Sequence, residues 1–259
     1  MSLVSVIVPL FNREKFLPQL FATLQNQLFQ DFEVILVDDG STDNTEKWIK
    51  DNQKTLTNNI SYVYQENAGP YAARNNGLSI AKGKYIAFQD SDDEWPDYHL
   101  KDFVEILEKN TDIDWLFGSL CRIDHQSGAT VEKSNFIDKK GQPHPFIALQ
   151  NEVRAEFYVI KDQFAGATAI RHCVPGSTQC ALIRSELFKK HLFDGSYRTA
   201  YDRFFAIKLV LLGYTFSFVT KTHQIYHIHD AHISLVAGAS DEKCIASAKT
   251  MLRGYAEMS

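Results

Sequence analysis

The chain contains 259 residues, of which 44% are hydrophobic and 23% charged, and its formal net charge is -5. This size and apolar content predict a globular protein with a substantial core, arranged as one large domain or two small lobes. The acidic balance argues against a general nucleic-acid-binding protein, whose surface normally has a basic face. Four cysteines without C-x-x-C spacing fit a reducing cytosol better than a zinc site or a disulfide framework. No apolar run approaches the roughly 20 residues that span a bilayer, so we expect a cytoplasmic protein.

Strand and helix patterns alternate along the N-terminal part of the chain. This alternation predicts an α/β fold with a mainly parallel sheet and helices on both faces. Asn12 is expected to cap the first helix, and Ser41 or Thr42 the second, while a third helix begins near Pro70. The predicted strands are Leu3–Val8, Phe32–Val37, Ser61–Tyr64 and Tyr85–Gln89.

The fourth predicted strand runs directly into an acidic segment that contains Asp90, Asp92, Asp93 and Glu94. Carboxylates this close repel one another, and the repulsion is costly beside a buried strand unless a cation or hydrogen-bond donors offset it. Oxygen ligands of this kind suit Mg²⁺ or Mn²⁺, which keep open positions for water and substrate phosphates. The structural alternative is an acidic turn before a helix that starts near Pro96, with Asp93 or Glu94 stabilising its N-terminus.

Three polar loops, residues 38–41, 67–75 and 90–93, are expected to meet where neighbouring parallel strands end. In open α/β sheets, ligands bind in a crevice at the carboxyl ends of the strands. Each loop also has a structural explanation: an aspartate can cap a helix, Gly69 can supply a positive-φ turn, and Arg74 can be a solvated charge. The convergence of all three loops at one edge favours a shared binding site.

Four ordered motifs occur within about ninety residues: Val6–Asn12, Val37–Asp43, Asn67–Gly69 with Ala73–Asn75, and Asp90–Asp93. Together they resemble the motifs of the family 2 glycosyltransferases, which have the GT-A fold. The resemblance implies an inverting hexosyltransferase that uses a nucleotide sugar, in polysaccharide biosynthesis for the cell envelope.

The resemblance also implies individual roles. Asp39 hydrogen-bonds the base and Arg74 approaches the base or phosphates. Asp92 ligates Mn²⁺ or Mg²⁺ directly, Asp90 reaches toward the ribose or a metal-bound water, and His229 contacts the diphosphate or the metal. The implied metal set is therefore Asp92, Asp90 and His229. The implied nucleotide-binding set is Pro9, Asn12, Asp39, Asn67, Gly69, Arg74 and Asp90.

The second half of the chain is less regular after about Thr111. Cys121–Gly141 is polar and turn-rich, as in an insertion or a flexible acceptor loop. A helix is predicted over Ile147–Ala155. Cys180–Arg184 is predicted to be a strand followed by a helix near Ser185, and this region resembles the floor of the family's acceptor site.

Transfer with inversion needs a carboxylate that takes the proton of the acceptor hydroxyl. Phe193–Phe205 resembles the family's acidic motif at the start of a helix, which makes Asp202 the candidate catalytic base. The family usually has Glu-Asp here, whereas this chain has Tyr201-Asp202. Asp202 can also favour a helix N-terminus by its charge alone. The nearest rival, Asp194, is more typical of a turn with Gly195.

Three histidines, His227, His229 and His232, lie close together near the C-terminus. They are compatible with a zinc site or with ordinary surface or core histidines. The family segment usually reads Tyr-Arg-x-His with a downstream serine, which His229 and Ser234 match. His227 replaces the arginine, so the charge at this position depends on pH near neutrality. Residues 237–259 are predicted to form an amphipathic helix that packs on the domain or on a partner.

Trp95 is the candidate acceptor-binding residue, because an indole can stack beneath a sugar; packing in the core is the equal alternative. The predicted units are a nucleotide-sugar-binding subdomain (1–110), an acceptor-binding subdomain (111–235) and a helical tail (236–259). We expect sugar transfer from a nucleotide diphosphate, UDP in particular, to a glycan or lipid-linked acceptor. No nucleic-acid partner is expected, and the acceptor would bring the protein to the inner face of a membrane.

Two alternatives to this function remain open. One is a catalytically weak or inactive nucleotide-binding scaffold of the same fold, which the loss of the acidic residue before Asp202 suggests. The other is a sugar nucleotidyltransferase. It is disfavoured because the first strand ends in Pro9-Leu10-Phe11-Asn12 and lacks a glycine-rich, basic phosphate loop.

Overall fold

The computed structural model describes residues 2–55, 59–176, 178–229 and 249–256. In this part of the chain ten strands form one sheet in the order β3-β2-β1-β4-β9-β5-β10-β8-β7, with β6 paired to β5. The strands are β1 (Val4–Leu10), β2 (Phe32–Asp38), β3 (Asn59–Tyr64), β4 (Tyr85–Phe88), β5 (Trp115–Asp124), β6 (Thr130–Glu132), β7 (Asn151–Arg154), β8 (Phe157–Ile160), β9 (Ala181–Arg184) and β10 (Phe216–Ile228). The helices are α1 (Leu17–Gln25), α2 (Thr45–Asn52), α3 (Pro70–Ile80), α4 (His99–Lys109), α5 (Ala165–His172), α6 (Ser185–Phe188) and α7 (Tyr201–Leu211).

The α/β expectation is confirmed, and all four predicted N-terminal strands are present. Strands β1 to β4 are parallel, so their carboxyl ends lie at one edge. Beyond β4 the sheet is mixed, because β9 runs antiparallel between β4 and β5. The sheet is therefore parallel through its N-terminal half, and in its second half β5 and β10 are also parallel while the other pairings are antiparallel. An antiparallel neighbour needs no crossover helix, and β9 brings residues 178–180 to the carboxyl end of β4.

Alternating side chains of the central strands enter two separate apolar layers. In β1, Ile7 belongs to the layer that includes Tyr71 and Phe205, whereas Val6 belongs to the layer that includes Leu20 and Phe103. Helices therefore cover both faces of the sheet, which explains why β1 and β2 are apolar at nearly every position. This packing fixes the strand ends, and with them the loops of the carboxyl edge.

The predicted helix caps are wrong. Asn12 has a positive φ of 54°, and its Oδ1 accepts hydrogen bonds from the amides of Thr42 and Asp43 instead of capping a helix. Helix α2 begins at Thr45, and Ser41 accepts a bond from the Asn12 amide. These short polar side chains join two loops, and that use competes with capping.

The helix predicted over Ile147–Ala155 is also wrong. Residues Asn151–Arg154 form β7, which pairs with β8 around a turn at Ala155, where φ is 49°. Arg154 is held by both oxygens of Asp112, at 2.9 Å each. Pairing with a neighbouring strand has overridden the local helical pattern. In the predicted loop Cys121–Gly141, β5 continues to Asp124 and pairs with β6.

The strand and helix predicted at 180–185 are present as β9 and α6. Residues 249–256 are helical, while His232, Ser234 and most of the predicted tail helix lie outside the described residues. Within the described ranges, no helix has the length and apolar character needed to cross a bilayer. One sheet runs through both predicted subdomains, whose division at residue 110 stays a prediction.

Candidate active site

The two aspartates at the end of β2 hold loops rather than cap a helix. Asp38 accepts hydrogen bonds from the Ser41 amide (2.8 Å) and the Tyr62 hydroxyl (2.8 Å). Burial, followed by the bond to Asp38, raises the pKa of Tyr62 above its usual range, so Tyr62 stays a donor. Asp38 is therefore explained by its structural contacts.

Asp39 draws the loop after β3 against the loop after β2. Its carboxylate accepts bonds from the amides of Ala68 and Gly69, both at 2.8 Å, and from Gln65 Nε2 at 2.7 Å. Asn67 donates to the Asp39 carbonyl at 2.9 Å. Three of the predicted nucleotide-binding residues, Asp39, Asn67 and Gly69, are thereby brought together at the carboxyl edge.

The backbone at Gly69 requires a glycine, because its φ of 95° is rarely adopted by residues with a side chain. A Cβ there would lie 2.5 Å from Arg198 Nη1, the flexible end of a side chain that could move aside. Arg198 belongs to the segment before α7, so the loop after β3 contacts the second half of the chain here. The remaining predicted nucleoside contacts, Pro9 and Asn12, lie at the end of β1 beside residues 41–43.

Asp90 is held by donors from both halves of the chain. Arg74 Nη2 donates to its Oδ1 at 2.8 Å, and Gln179 Nε2 donates to its Oδ2 at 2.6 Å. Arg74 is buried; burial opposes its charge, but Asp90, Tyr71 and Asp202 together raise its pKa. Each oxygen of Asp90 accepts one of these bonds and keeps a further lone pair, so the role of Asp90 toward the ribose or the metal stays a prediction.

Asp93 is an interior anchor. Its carboxylate accepts bonds from Gln224 Nε2 at 2.6 Å and from the His227 amide at 3.1 Å. Burial, and then the charges of Asp92 and Asp90, raise its pKa well above the ordinary value. Together with the backbone pairing of Glu94 and Ile225, these bonds fasten the acidic segment to the end of β10.

Asp92 and His229, which are 137 positions apart, meet at the site. His229 Nε2 lies 3.1 Å from Asp92 Oδ2, and Arg13 Nη2 lies 3.8 Å from the same oxygen. Among the described residues no group of three or more His, Cys, Asp or Glu side chains is arranged to hold a metal ion. Ions such as Mn²⁺ and Mg²⁺ commonly take one or two protein ligands and complete their shell with water and phosphate oxygens. The oxygen of Asp92 and the nitrogen of His229 fit such an ion.

His227 is buried and has partners, as the core-histidine alternative expects. Its Nε2 lies 2.5 Å from Glu94 Oε1, and its Nδ1 lies 3.3 Å from His125 Nδ1. The bond from His227 is the main cause that lowers the pKa of Glu94. His227 stands where the family resemblance expects an arginine. It contacts Glu94 and so helps to hold the acidic segment in place.

Asp202 is the second residue of α7 and reaches the site through α3. The Tyr71 hydroxyl lies 3.0 Å from Asp202 Oδ1. The rival Asp194 bonds the amide (2.8 Å) and hydroxyl (2.6 Å) of Ser196, which lowers its pKa, and it pairs with Arg253. Asp194 thus holds a turn, and Asp202 remains the candidate base.

Trp95 shows the core-packing alternative. It is 4% exposed, its indole stacks on His99 at a centroid distance of 4.1 Å, and its Nε1 donates to the Gln179 carbonyl. An acceptor sugar has no open indole face to stack on, so the predicted acceptor contact of Trp95 is wrong for this conformation.

Sequence reasoning missed several residues that organise this site. Tyr71 directly follows Pro70 at the start of α3, so its closeness to the Gly69 motif was an available signal. Gln179 and Gln224 gave no signal, because a single glutamine far from any motif has no periodicity or spacing.

The chain is similar in sequence to known proteins over about half of its length or more. The sequence model of the family described as glycosyl transferase family 2 matches residues 5–192. A GalNAc(5)-diNAcBac-PP-undecaprenol beta-1,3-glucosyltransferase of Campylobacter jejuni is 36% identical over 149 residues, which cover 54% of this chain and 47% of the relative. Glycosyltransferase GlyG of Streptococcus pneumoniae is 38% identical over 129 residues, which cover 49% of this chain and 42% of the relative. The chain thus spans less than half the length of these relatives.

Solved structures share the fold over nearly the whole chain. S. aureus TarS 1-349 in complex with UDP-GlcNAc superimposes with a TM-score of 0.66 at 24% identity, covering 98% of this chain and 66% of that one. Mannosyltransferase PcManGT from Pyrobaculum calidifontis, in complex with GDP-Man and Mn²⁺, gives 0.65 at 18% identity, covering 99% and 64%. At these identities the likeness shows the fold alone, and the expected GT-A architecture is confirmed.

Proposed function

Because the chain belongs to glycosyl transferase family 2, we propose that it is an inverting, divalent-metal-dependent glycosyltransferase. It would move a sugar from a UDP-sugar to a hydroxyl group of a glycan or lipid-linked saccharide. One observation supports the proposal. Around the carboxyl edge of the sheet and helix α3 lie the predicted nucleotide loops, the pair Asp92 and His229, and Asp202. A nucleotide diphosphate and an attacking hydroxyl need this combination of groups close together.

Each group has a task that follows from charge and position. Asp202 takes the proton of the acceptor hydroxyl as that oxygen attacks the anomeric carbon, which inverts the configuration. Asp92 and His229 would hold the ion, and the loop that Asp39 organises would hold the nucleoside. When bound, a divalent ion neutralises negative charge on the departing diphosphate. The nitrogen of His229 matches Mn²⁺ better than Mg²⁺, which prefers an all-oxygen shell.

The choice of donor and acceptor draws on the relatives. The TarS structure was obtained with UDP-GlcNAc, which supports uridine, whereas PcManGT was obtained with GDP-Man, so guanosine has to be tested beside it. The name of the Campylobacter jejuni relative specifies an undecaprenol diphosphate acceptor. That name supports a lipid-linked saccharide as the acceptor of this chain.

Binding of nucleotide diphosphates tests the proposed donor site directly. We expect UDP to bind in the presence of Mn²⁺, and we expect binding to weaken at least about tenfold with a chelator or in Asp92→Ala, because the diphosphate then loses its cation. Isothermal titration calorimetry with UDP, GDP, CDP and TDP measures this. Asp31→Ala is a matched control: Asp31 lies before β2, at the opposite edge of the sheet, and should leave binding unchanged.

Three results would contradict parts of the proposal. Metal-dependent binding of GDP alone would replace the uridine assignment and keep the site. Nucleotide binding that is unaffected by both the chelator and Asp92→Ala would show that the proposed metal site does not take part in binding. Nucleotide binding without turnover on any glycan or lipid-linked acceptor would favour the inactive scaffold, which the loss of the acidic residue before Asp202 first suggested.

A further inference from the structure

Tyr71 connects the two halves of the site through a single oxygen atom. It is the second residue of α3 and is 3% exposed. Its hydroxyl oxygen lies 3.0 Å from Asp202 Oδ1, 2.9 Å from the Tyr201 amide and 3.4 Å from the Asp202 amide. A residue of the donor-side helix therefore contacts both the backbone and the carboxylate at the start of α7.

The direction of the hydroxyl proton follows from these contacts. The amides of Tyr201 and Asp202 can only donate, so the Tyr71 oxygen must accept from them. The single hydroxyl proton is left for Asp202 Oδ1. Burial, and then the charge of Asp202, raise the pKa of Tyr71 well above its usual value, so the phenol keeps this proton at neutral pH.

The same contacts replace the missing cap of α7. The residue before the helix, Ala200, has a φ of 63° and provides no side-chain cap. The first amides of the helix bond instead to the Tyr71 hydroxyl, which satisfies donors that a helix leaves open at its N-terminus. The Tyr71 hydroxyl thus fixes both where α7 begins and how the Asp202 carboxylate is turned.

One turn of α3 also sets the distance between the base and the acidic segment. Arg74 lies three residues after Tyr71 on the same helix face and holds Asp90 at 2.8 Å. Its guanidinium carbon lies 5.3 Å from the centre of the Tyr71 ring. A rigid helix turn therefore carries one contact to Asp202 and one to the acidic segment.

We propose that Tyr71 is a positioning residue for the catalytic base. Its hydroxyl occupies Asp202 Oδ1 and leaves Oδ2, which has no hydrogen-bond partner among the described residues, to face the acceptor hydroxyl. This assignment rests on the proposed function, since it supposes that Asp202 is the base. Tyr71 lies on the donor side of the site, so the assignment gives a donor-side residue a role in activating the acceptor hydroxyl.

Tyr71→Phe tests the assignment with a change of one oxygen atom. We expect kcat to fall about 10- to 100-fold while the KM for the donor stays within about twofold, because the hydroxyl contacts the start of α7 and the base carboxylate rather than the donor.

Tyr85→Phe is the matched control. Tyr85 is fully buried and donates to a carboxylate, Glu108 Oε1 at 2.6 Å, but lies at the start of β4, on the opposite edge of the sheet. It should leave kcat and the KM for the donor unchanged. A Tyr71→Phe protein with the parent kcat would overturn the proposal, and so would an equal loss of kcat in Tyr85→Phe.

A second measurement separates this proposal from the proposed function. Hydrogen exchange of the Tyr201 and Asp202 amides, which donate to the Tyr71 hydroxyl, can be followed by NMR without any transfer of sugar. We expect both amides to exchange faster in Tyr71→Phe and at the parent rates in Tyr85→Phe. If the parent transfers no sugar, the proposed function fails. Unchanged exchange in Tyr71→Phe would then overturn the Tyr71 contact as well, whereas faster exchange would uphold it.

Discussion

Asp202→Asn is expected to lower kcat by about 10²- to 10⁴-fold, the usual contribution of a general base. The amide has nearly the shape of the carboxylate and can still accept the bond from Tyr71, so the start of α7 should be preserved. It cannot take the acceptor proton. Affinity for the nucleotide should stay within about twofold, because among the described residues the hydrogen bond of the Asp202 side chain toward the donor side goes to Tyr71. Steady-state kinetics and calorimetry on the same preparation measure both quantities.

Asp194→Asn provides the comparison for this variant. Asp194 is the other acidic residue of the segment that leads into α7, and an amide oxygen there can still accept both bonds from Ser196. We expect its kcat to stay within about threefold of the parent value, because a turn is kept and no proton acceptor is lost. If Asp194→Asn loses activity and Asp202→Asn does not, Asp194 is the base.

The three aspartates of the acidic segment have different contacts, and its sequence does not distinguish them. Asp90 joins Arg74 to Gln179, Asp92 meets His229, and Asp93 is buried against β10. From the spacing alone, all three carboxylates are equivalent candidates for a metal. Their roles differ because successive residues after a strand point in different directions, and only the fold decides what lies in each direction.

The sequence predicted the parts of the fold that rest on local apolar patterns. Strands β1 and β2 are buried on both faces, so their apolar runs allow few other interpretations. The edge location of the site follows from the same pattern, because the polar loops come directly after such strands. The pairing of Asp92 with His229 was expected only from the family resemblance, since no local pattern relates residues so far apart.

The parts that could not be predicted depend on contacts between distant segments. Asn12 has the side chain of a helix cap, but bonds to the loop after β2 compete for it. Strand β9 is short and apolar, and nothing within it specifies antiparallel pairing between β4 and β5. Gln179 reaches Asp90 only because of that pairing.

Two buried histidines should make the fold lose stability in mild acid. His99 and His223 are each 0% exposed, with ring centroids 5.4 Å apart, and they pack against Trp95 and Phe103 beneath the acidic segment. Burial lowers the pKa of His99 well below its usual value and that of His223 to about 3. In the unfolded chain both should titrate near pH 6.5.

The sign of the effect follows from these shifts. Above about pH 6.5 both histidines are neutral in either state, so their contribution to stability is complete. As the pH falls below that value, the unfolded chain binds protons that the folded protein excludes. The free energy of unfolding should therefore fall by up to about 1.4 kcal/mol per pH unit for each histidine. For His223 this loss continues until the pH approaches about 3.

Urea unfolding between pH 7 and pH 5 measures this slope, and variants separate its sources. His223→Phe and His99→Phe keep a flat ring that cannot titrate, so each should reduce the slope by up to about 1.4 kcal/mol per pH unit, whatever its own packing cost. His172→Phe changes an exposed histidine at the last position of α5 and should leave the slope as it is. Equal slopes in all four proteins would mean that the buried pair is protonated in the folded state. Asp102, whose carboxylate lies 4.0 Å from His223 Nε2, is the group that would then be stabilising the charge.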